Sequence, residues 1–406
     1  MRADQPVRDY ADASVTTVPA QPEPLEREDQ EVTPLELFFD LVLVFAITQV
    51  TGFISADPTW TRLVEGLAIL AALWWAWVSF AWLANSAASD EGATRVVLLA
   101  AMGALLVVSL AVPDAFGDDA LVFGVAYFCV RMLHLGAYLV VARENPELRG
   151  VVLRLAVPVI PATLALIAAG LVDGTGRALL WTLALTIDYG GLALRGVEGW
   201  RVEPAHFAER HGLIVIIALG ESIVALGVGA QGLELDLEIV VAALLGIAAA
   251  GAMWWAYFDV AAIVAARRFK ALERDAQVRM ARDSYTYLHL PMIAGIIVFA
   301  VGLKKTLGRV DEHLHTVPAF ALCGGFALYL LALSTFKRRN VGRWNRGRLV
   351  VAALLVAFAP LATHVPALAA LAIVAALACG LIAVEATRGA NARDRIRHAG
   401  DMMSGR

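Results

Sequence analysis

Apolar stretches of roughly 18–20 residues recur along almost the whole chain, and each is long enough to cross a bilayer as a helix. This feature constrains the fold more than any other. Lipid offers no hydrogen-bond partners to a backbone, so stretches of this kind must be helical. The composition agrees, because 59% of the residues are hydrophobic and only 17% are charged. A soluble domain has about 25% charged residues.

The sequence predicts an all-α polytopic membrane protein with about twelve transmembrane helices. The predicted spans lie near 34–55, 62–83, 94–112, 119–141, 150–171, 177–195, 207–229, 237–262, 283–303, 316–336, 347–363 and 366–386. Only the short segment His364-Val365-Pro366 lies at the junction of the last two spans, so a re-entrant hairpin is the alternative there. Residues 1–30 carry more acidic than basic side chains and are predicted to form a disordered tail, and residues 388–406 to form a C-terminal tail.

Basic residues are sorted strongly between the two sides that these spans define. The segments on the side of the termini carry 27 Lys and Arg residues, whereas the opposite loops carry 5. Loops rich in Lys and Arg face the cytoplasm. The sequence therefore predicts that both termini are cytoplasmic, and an odd number of spans would destroy this sorting in one half of the chain.

Short motifs recur in the same order in the two halves of the chain. ELFFDLVLVFAITQV at 36–50 aligns with ERHGLIVIIALGESI at 209–223, and WWAW at 74–77 aligns with WWAY at 254–257. The fifth span of each half opens with Arg-Gly, at 149–150 and 346–347. We predict two parallel six-helix repeats, 31–200 and 201–387, because six spans is an even number.

The first predicted span carries Glu36 and Asp40 one turn apart on one helix face, and Gln49 lies deeper on that face. A charge at the bilayer centre costs at least about 2.5–3.5 kcal/mol, so such residues are candidates for a proton or cation site. The alternative for Glu36 is helix capping, since Thr33 and Pro34 form an ordinary helix start. We expect Asp40, one turn deeper, to have a specific partner or function.

The seventh predicted span holds the most isolated acid. Glu221 and Ser222 interrupt an apolar stretch past the middle of the span, with no neutralising charge nearby in sequence. We predict an ion or proton site, and the alternative is a structural hydrogen bond between helices. Glu209 and His211, at the entrance of this span, are predicted to join an intramembrane polar network, in which Glu209 and Arg210 offset each other's charge.

The fourth predicted span contains Arg131 and His134, one turn apart. Asp188 in the sixth span is the natural partner for Arg131, with Asp40 and Glu221 as other candidates. These residues extend the predicted polar network, and a buried structural ion pair is the alternative. We expect the tryptophans at 74–82 to lie in the headgroup zone of the membrane.

The segments 36–51, 209–227 and 74–91 resemble the bacterial low temperature requirement A (LtrA) family of membrane proteins, and the resemblance extends over residues 30–390. It implies a multi-pass protein of the bacterial cell membrane that is associated with growth at low temperature, and it supplies no proven catalytic residue. Phe39-Asp40 and the residues after it are more remotely similar to the first helix of the endolysosomal potassium and proton channels. Leu41 stands where those channels have glycine.

These observations lead to one main hypothesis of function and two alternatives. The main hypothesis is a secondary transporter or channel for a small solute or ion, linked to protons or cations. The alternatives are an integral-membrane enzyme or lipid-handling protein built on Glu36, His206, Glu209 and His211, and a stress-related membrane protein that transports nothing. The expected partners are the bilayer, a small solute or ion and a second copy of the chain, with no nucleic acid, metal or cofactor.

Overall fold

The computed structural model describes residues 32–86, 92–194 and 199–388, and these residues contain helices and no β-strand. The α-helices are α1 (Pro34–Ala56), α2 (Trp60–Ser86), α3 (Gly92–Ala111), α4 (Ala120–Val141), α5 (Pro146–Ala169), α6 (Gly174–Ala193), α7 (Pro204–Gly229), α8 (Leu237–Phe258), α9 (Ala261–Lys270), α10 (Arg274–Met280), α11 (Leu288–Leu307), α12 (Thr316–Val341), α13 (Arg346–Phe358) and α14 (Ala367–Arg388). The predicted tail over 1–30, and the predicted tail over 388–406 apart from its first residue, lie outside the described residues.

Ten helical segments of the described chain are long and apolar enough to cross a membrane. The fold is that of an all-α polytopic membrane protein, and the prediction of this class is confirmed. Helices occupy all twelve predicted spans, and the two outside the ten are α6 and α13. With 13 residues, α13 is only about 20 Å long, so the re-entrant hairpin stays an alternative for the end of the chain.

The start of α1 is fixed by the local sequence. Thr33 Oγ1 accepts a hydrogen bond from the Glu36 backbone N–H at 3.3 Å, and Glu36 Oε2 accepts one from the Thr33 backbone N–H at 3.0 Å. This capping box satisfies two backbone donors that the helix itself leaves without partners. Glu36 therefore has the capping role that the sequence offered as an alternative.

Two helices depart from regular geometry. A π-helical segment, Ala281–Tyr287, separates α10 from α11, and α5 contains Pro158 and Pro161 in its interior. π-Helical turns often occur at functional sites, and an interior proline removes a backbone hydrogen bond and bends its helix. Both irregular segments border the polar regions described below.

The two halves share six helix pairings. In the first half α1 contacts α2 and α3, α3 contacts α4, α4 contacts α5, α5 contacts α6, and α2 contacts α6. The second half repeats these pairings with α7, α8, α11, α12, α13 and α14 in the places of α1 to α6. A duplicated six-helix unit would produce this pattern, and the duplication itself stays a prediction.

Candidate functional site along the contact of α1 and α7

Helices α1 and α7 meet at the centre of the bundle, and we call their line of contact the central seam. Both helices begin on the side that carries the start of α1 and the end of α14, which we call the terminal side. Three polar contacts cross the seam in order from this side: Glu36 with His206, Asp40 with Arg210, and Thr48 with Glu221. Because the order is the same along both helices, α1 and α7 run parallel.

A buried ion pair forms the second of these contacts. Arg210 Nη2 donates to Asp40 Oδ1 at 2.8 Å, and Arg210 Nη1 lies 3.9 Å from Glu36 Oε1. Trp77 Nε1 donates to the same Asp40 oxygen at 2.7 Å, and the Arg210 guanidinium lies 5.5 Å from the centre of the Trp77 ring. All four side chains are at most 2% exposed. Asp40 is therefore neutralised within the protein, as a structural ion pair would be.

Glu36 makes the first contact across the seam and continues to α2. Its Oε2 lies 3.0 Å from His206 Nε2, and His206 Nδ1 lies 3.2 Å from Asn85 Nδ2. Asn85 also donates from Nδ2 to the Glu203 carbonyl at 3.0 Å. The chain of contacts ties the starts of α1 and α7 to the end of α2, which closes the seam on the terminal side.

Two further buried histidines lie beside this cluster. His211 Nδ1 lies 2.8 Å from the Phe207 carbonyl, and the His211 and His289 ring centres are 5.2 Å apart. The π-helical segment places the Ser284 carbonyl 3.0 Å from His289 Nδ1, and the Tyr257 hydroxyl lies 2.9 Å from His289 Nε2. His211 Nε2 has no hydrogen-bond partner among the described residues.

Glu221 is the acid of the seam without a cation. Thr48 Oγ1 donates to its Oε2 at 2.7 Å, and Glu221 is 4% exposed. Within the described chain, no Lys, Arg or His lies within salt-bridge distance of this carboxyl group. The neighbouring Ser222 is fully buried, and its hydroxyl has no hydrogen-bond partner in that part of the chain. An intramembrane acid without an ion-pair partner is costly, which makes Glu221 a candidate for a functional site.

The contact between Thr48 and Glu221 also bears on the predicted repeat. In the alignment of 36–50 with 209–223, these two residues occupy the same position. Equivalent residues of two repeats can touch only close to the axis that relates the repeats. If the chain is a duplication, its axis therefore passes near Glu221.

Apolar residues separate Glu221 from the charged cluster. Asp40 and Thr48 are eight residues apart, which corresponds to about 12 Å along α1. Between these levels α1 carries Leu43 and Ile47, and α7 carries Ile214; each is at most 2% exposed. Asp40 and Glu221 thus belong to two separate polar sites, not to one cavity.

The remaining predicted site residues lie elsewhere. Glu209 is exposed, and Arg210 pairs with Asp40 and Glu36, so the expected compensation between Glu209 and Arg210 is not seen. Gln49 is partly buried and makes none of the contacts across the seam. Arg131 pairs with Asp188 in the first half, at 2.7 Å and 3.2 Å, beside His134.

The tryptophans show what the sequence interpretation missed. Trp74 and Trp77 are at most 2% exposed, so they pack inside the protein, and their expected place in the headgroup zone stays a prediction. Trp74 Nε1 donates to the Thr286 carbonyl in the π-helical segment at 2.9 Å, as Trp77 donates to Asp40. The residue type carried the signal. A buried acid needs a hydrogen-bond donor, and the Trp ring has an N–H that can donate to it.

Fold and site together define a multi-pass α-helical membrane protein with a buried polar seam between its halves. The chain belongs to the family described as Bacterial low temperature requirement A protein (LtrA), which matches residues 31–383. An uncharacterized protein from Rhizobium meliloti (strain 1021) is 31% identical over 314 residues, which cover 75% of this chain and 76% of the relative. No solved structure matches the chain.

Proposed function

We propose that the protein is a transporter or channel that moves a small solute or ion along the central seam, with Glu221 as the group that exchanges a proton or cation. The observation that supports this most directly is the buried Glu221 carboxyl group, which has hydroxyl neighbours but no cation within salt-bridge distance in the described chain. Hydroxyl and carboxyl oxygens are the ligands that hard cations prefer, and a carboxyl group without a fixed counter-charge is able to take up and release a proton.

Asp40 takes a different part in this proposal. Its charge is already matched by Arg210 and its oxygen Oδ1 accepts from Trp77 as well, so it is poorly suited to bind a mobile ion. We assign the Asp40–Arg210 pair to closing the terminal side of the seam. Opening would require this pair and the apolar layer at Leu43, Ile47 and Ile214 to rearrange. We further propose that the terminal side is cytoplasmic and that the membrane is the bacterial cell membrane.

The enzyme alternative needs Glu36, His206, Glu209 and His211 to converge on one substrate or metal. The structure divides this set, since Glu209 is exposed whereas His206 pairs with Glu36. Among the described residues, no group of three or more His, Cys, Asp or Glu side chains could hold a metal ion. Nothing in this arrangement favours the enzyme over the transporter. Low temperature is named by the family description, so we expect the transport activity to matter for growth in the cold.

The test is ion flux in proteoliposomes with entrapped dyes sensitive to H⁺, Na⁺ or K⁺, each used under an imposed gradient of its own ion. Wild-type protein should carry at least one of these ions. Glu221→Gln should lower the rate of flux at least about tenfold, because it removes the exchangeable charge. Glu209→Gln is the matched control, since it makes the same change at an exposed position of α7. Equal flux in Glu221→Gln and wild type, or no flux of any of the three ions through wild type, would contradict the proposal.

A further inference from the structure

A second polar site lies inside the first half, away from the central seam. It is a cavity of about 40 Å³, and we call it the first-half cavity. A single water needs about 10–15 Å³ by the same measure, so the cavity has room for a small polar group. Its walls come from α2, α4, α5, α6 and α10 and include Trp75, Trp82, Arg131, His134, Asp188 and Trp200.

The walls of this cavity hold unused hydrogen-bonding capacity. Arg131 uses its two terminal nitrogens on Asp188 and Tyr127, but its Nε has no partner among the described residues. Both ring nitrogens of His134 also lack a partner there. Each of these two side chains is 1% exposed. Leaving buried polar atoms unpaired costs about 1–3 kcal/mol per group, so such groups call for an explanation.

The fold itself does not require these polar groups. Tyr127 donates to the Ala72 carbonyl of α2 at 3.1 Å, and Tyr329 donates to the Met253 carbonyl of α8 at 2.6 Å, so the two tyrosines hold matching positions. Four residues after them stand Arg131 and Leu333, and seven residues after them stand His134 and Phe336. The second half therefore has apolar side chains where the first half has a guanidinium and an imidazole.

The chemistry of the walls selects an anion. The unused capacity includes the Arg131 Nε–H, which can only donate, and His134 can present one N–H. Arg131 and Arg282 both line the cavity, and Asp188 and Asp283 are their ion-pair partners, so the walls offer a cation no unpaired carboxylate. The indole rings of Trp75, Trp82 and Trp200 keep the surroundings of these donors largely apolar, which strengthens a hydrogen bond to a charged group.

We propose that the first-half cavity binds the carboxylate group of a small organic acid whose apolar body extends out through the mouth of the cavity. Arg131 Nε and His134 would donate to the carboxylate oxygens. Leu155 and Leu192 line the cavity and are only partly buried, so the cavity reaches the outer surface between α5 and α6. The acid could come from water, as an aromatic acid does, or from the membrane, as a fatty acid does, because both present the same carboxylate.

The experiment is calorimetric titration of the whole purified protein in lipid nanodiscs. Benzoate probes the dissolved source and octanoate the membrane source, while benzyltrimethylammonium carries a similar ring with the opposite charge. We expect saturable binding of one or both acids with one site per chain, and no binding of the cation. Benzoate alone or octanoate alone would identify the source. Failure of both acids, or equal binding of the cation, would overturn the proposal.

Two variants locate the binding in this cavity. His134→Phe installs the residue found at the equivalent position 336. It should raise the dissociation constant at least about tenfold, because it removes a hydrogen bond to a charged group. Leu155→Trp should weaken binding by filling the mouth without touching either polar group. Glu221→Gln should bind like wild type, which separates this site from the proposed transport site. Wild-type affinity in both His134→Phe and Leu155→Trp would overturn the assignment.

Discussion

The two halves of the bundle share six helix pairings but fill equivalent interior positions with side chains of opposite polarity. Beside Tyr127, the first half keeps Arg131 and His134 around a small cavity. Beside Tyr329, the second half places Phe336 against Tyr285 and His289, with ring centres 5.7 Å and 5.1 Å away. The scaffold therefore tolerates both fillings, and the polar one carries the greater cost of burial.

The acidic residues of α6 and α14 show the same contrast. Asp188 and Glu385 each lie 39 residues after the Arg-Gly pair that opens the fifth span of their half. Each binds an arginine, but the arginine comes from α4 in the first half, as Arg131, and from α13 in the second, as Arg348. Glu385 is 24% exposed at its side chain, whereas Asp188 is 6% exposed. The first-half pair is the drier one.

This difference predicts which substitutions each half tolerates. An ion pair that reaches water can lose a partner and be rehydrated, whereas a dry pair cannot. We therefore expect substitutions that remove a charge to destabilise the first half more, and substitutions that introduce a polar side chain to destabilise the second half more. The following predictions test that expectation, beginning with the largest effect.

The largest effect should come from breaking the dry pair on one side only. Arg131→Leu, which installs the residue found at position 333, should lower the free energy of unfolding by about 3–5 kcal/mol, because it leaves Asp188 buried and without a counter-charge. Unfolding in mixed micelles of increasing SDS content measures this. Arg131→Leu combined with Asp188→Leu should recover most of the loss, since a buried pair replaced by apolar residues is often neutral.

Two controls sharpen this comparison. Arg348→Leu breaks the more exposed pair and should cost less than Arg131→Leu in the same titration. If Arg348→Leu costs as much or more, the contrast between the halves in sensitivity to charge is wrong. If the Arg131→Leu and Asp188→Leu double variant is no more stable than Arg131→Leu alone, the loss has a cause other than the uncompensated acid.

A smaller effect should follow from exchanging the ring types between the halves. Phe336→His should cost about 2–3 kcal/mol, because it puts a polar ring into an aromatic cluster that offers few partners. The reciprocal change, His134→Phe, should leave the stability within about 1 kcal/mol or raise it, because it removes two unpaired nitrogens. Melting temperatures of both variants, compared with wild type, measure the asymmetry. Similar losses in both would mean that His134 is held by contacts that stabilise the fold.

The sequence was sufficient for the class of fold, because membrane burial leaves a signal in every span. Hydropathy located helices at all twelve predicted spans, and Thr33 followed by Pro34 predicted the N-cap that is seen at the start of α1. Charge neutrality also pointed to the Arg131–Asp188 pair among three candidates, since Arg131 is the only basic residue well inside a predicted span and needs a buried acid. These predictions depend on local composition or on a single scarce partner.

The candidate site was harder to predict, because the partner of a buried charge depends on how helices rotate. Arg210 follows Glu209 in the chain, but adjacent residues of a helix face different directions, so Arg210 reaches Asp40 while Glu209 faces outward. Asp40 and Glu221 looked alike in sequence, as acids within apolar runs. Only packing shows that Asp40 has an arginine and Glu221 a threonine.

The smallest effect tests how tightly the second half is packed away from its polar residues. α11 and α12 approach closely at Gly325, where an added methyl group would clash with the backbone of Phe299 and Gly295, whereas Gly324 has open space. Gly325→Ala should therefore lower the melting temperature, with a cost of about 1–2 kcal/mol for overpacking, while Gly324→Ala should not. The first half has a close contact of the same kind, of Gly124 in α4 with the backbone of α5, whereas Gly103 of α3 has open space, so Gly103→Ala should be neutral in the same assay. Loss of stability in Gly324→Ala or Gly103→Ala, or none in Gly325→Ala, would show that close helix contact does not set the cost of an added methyl group.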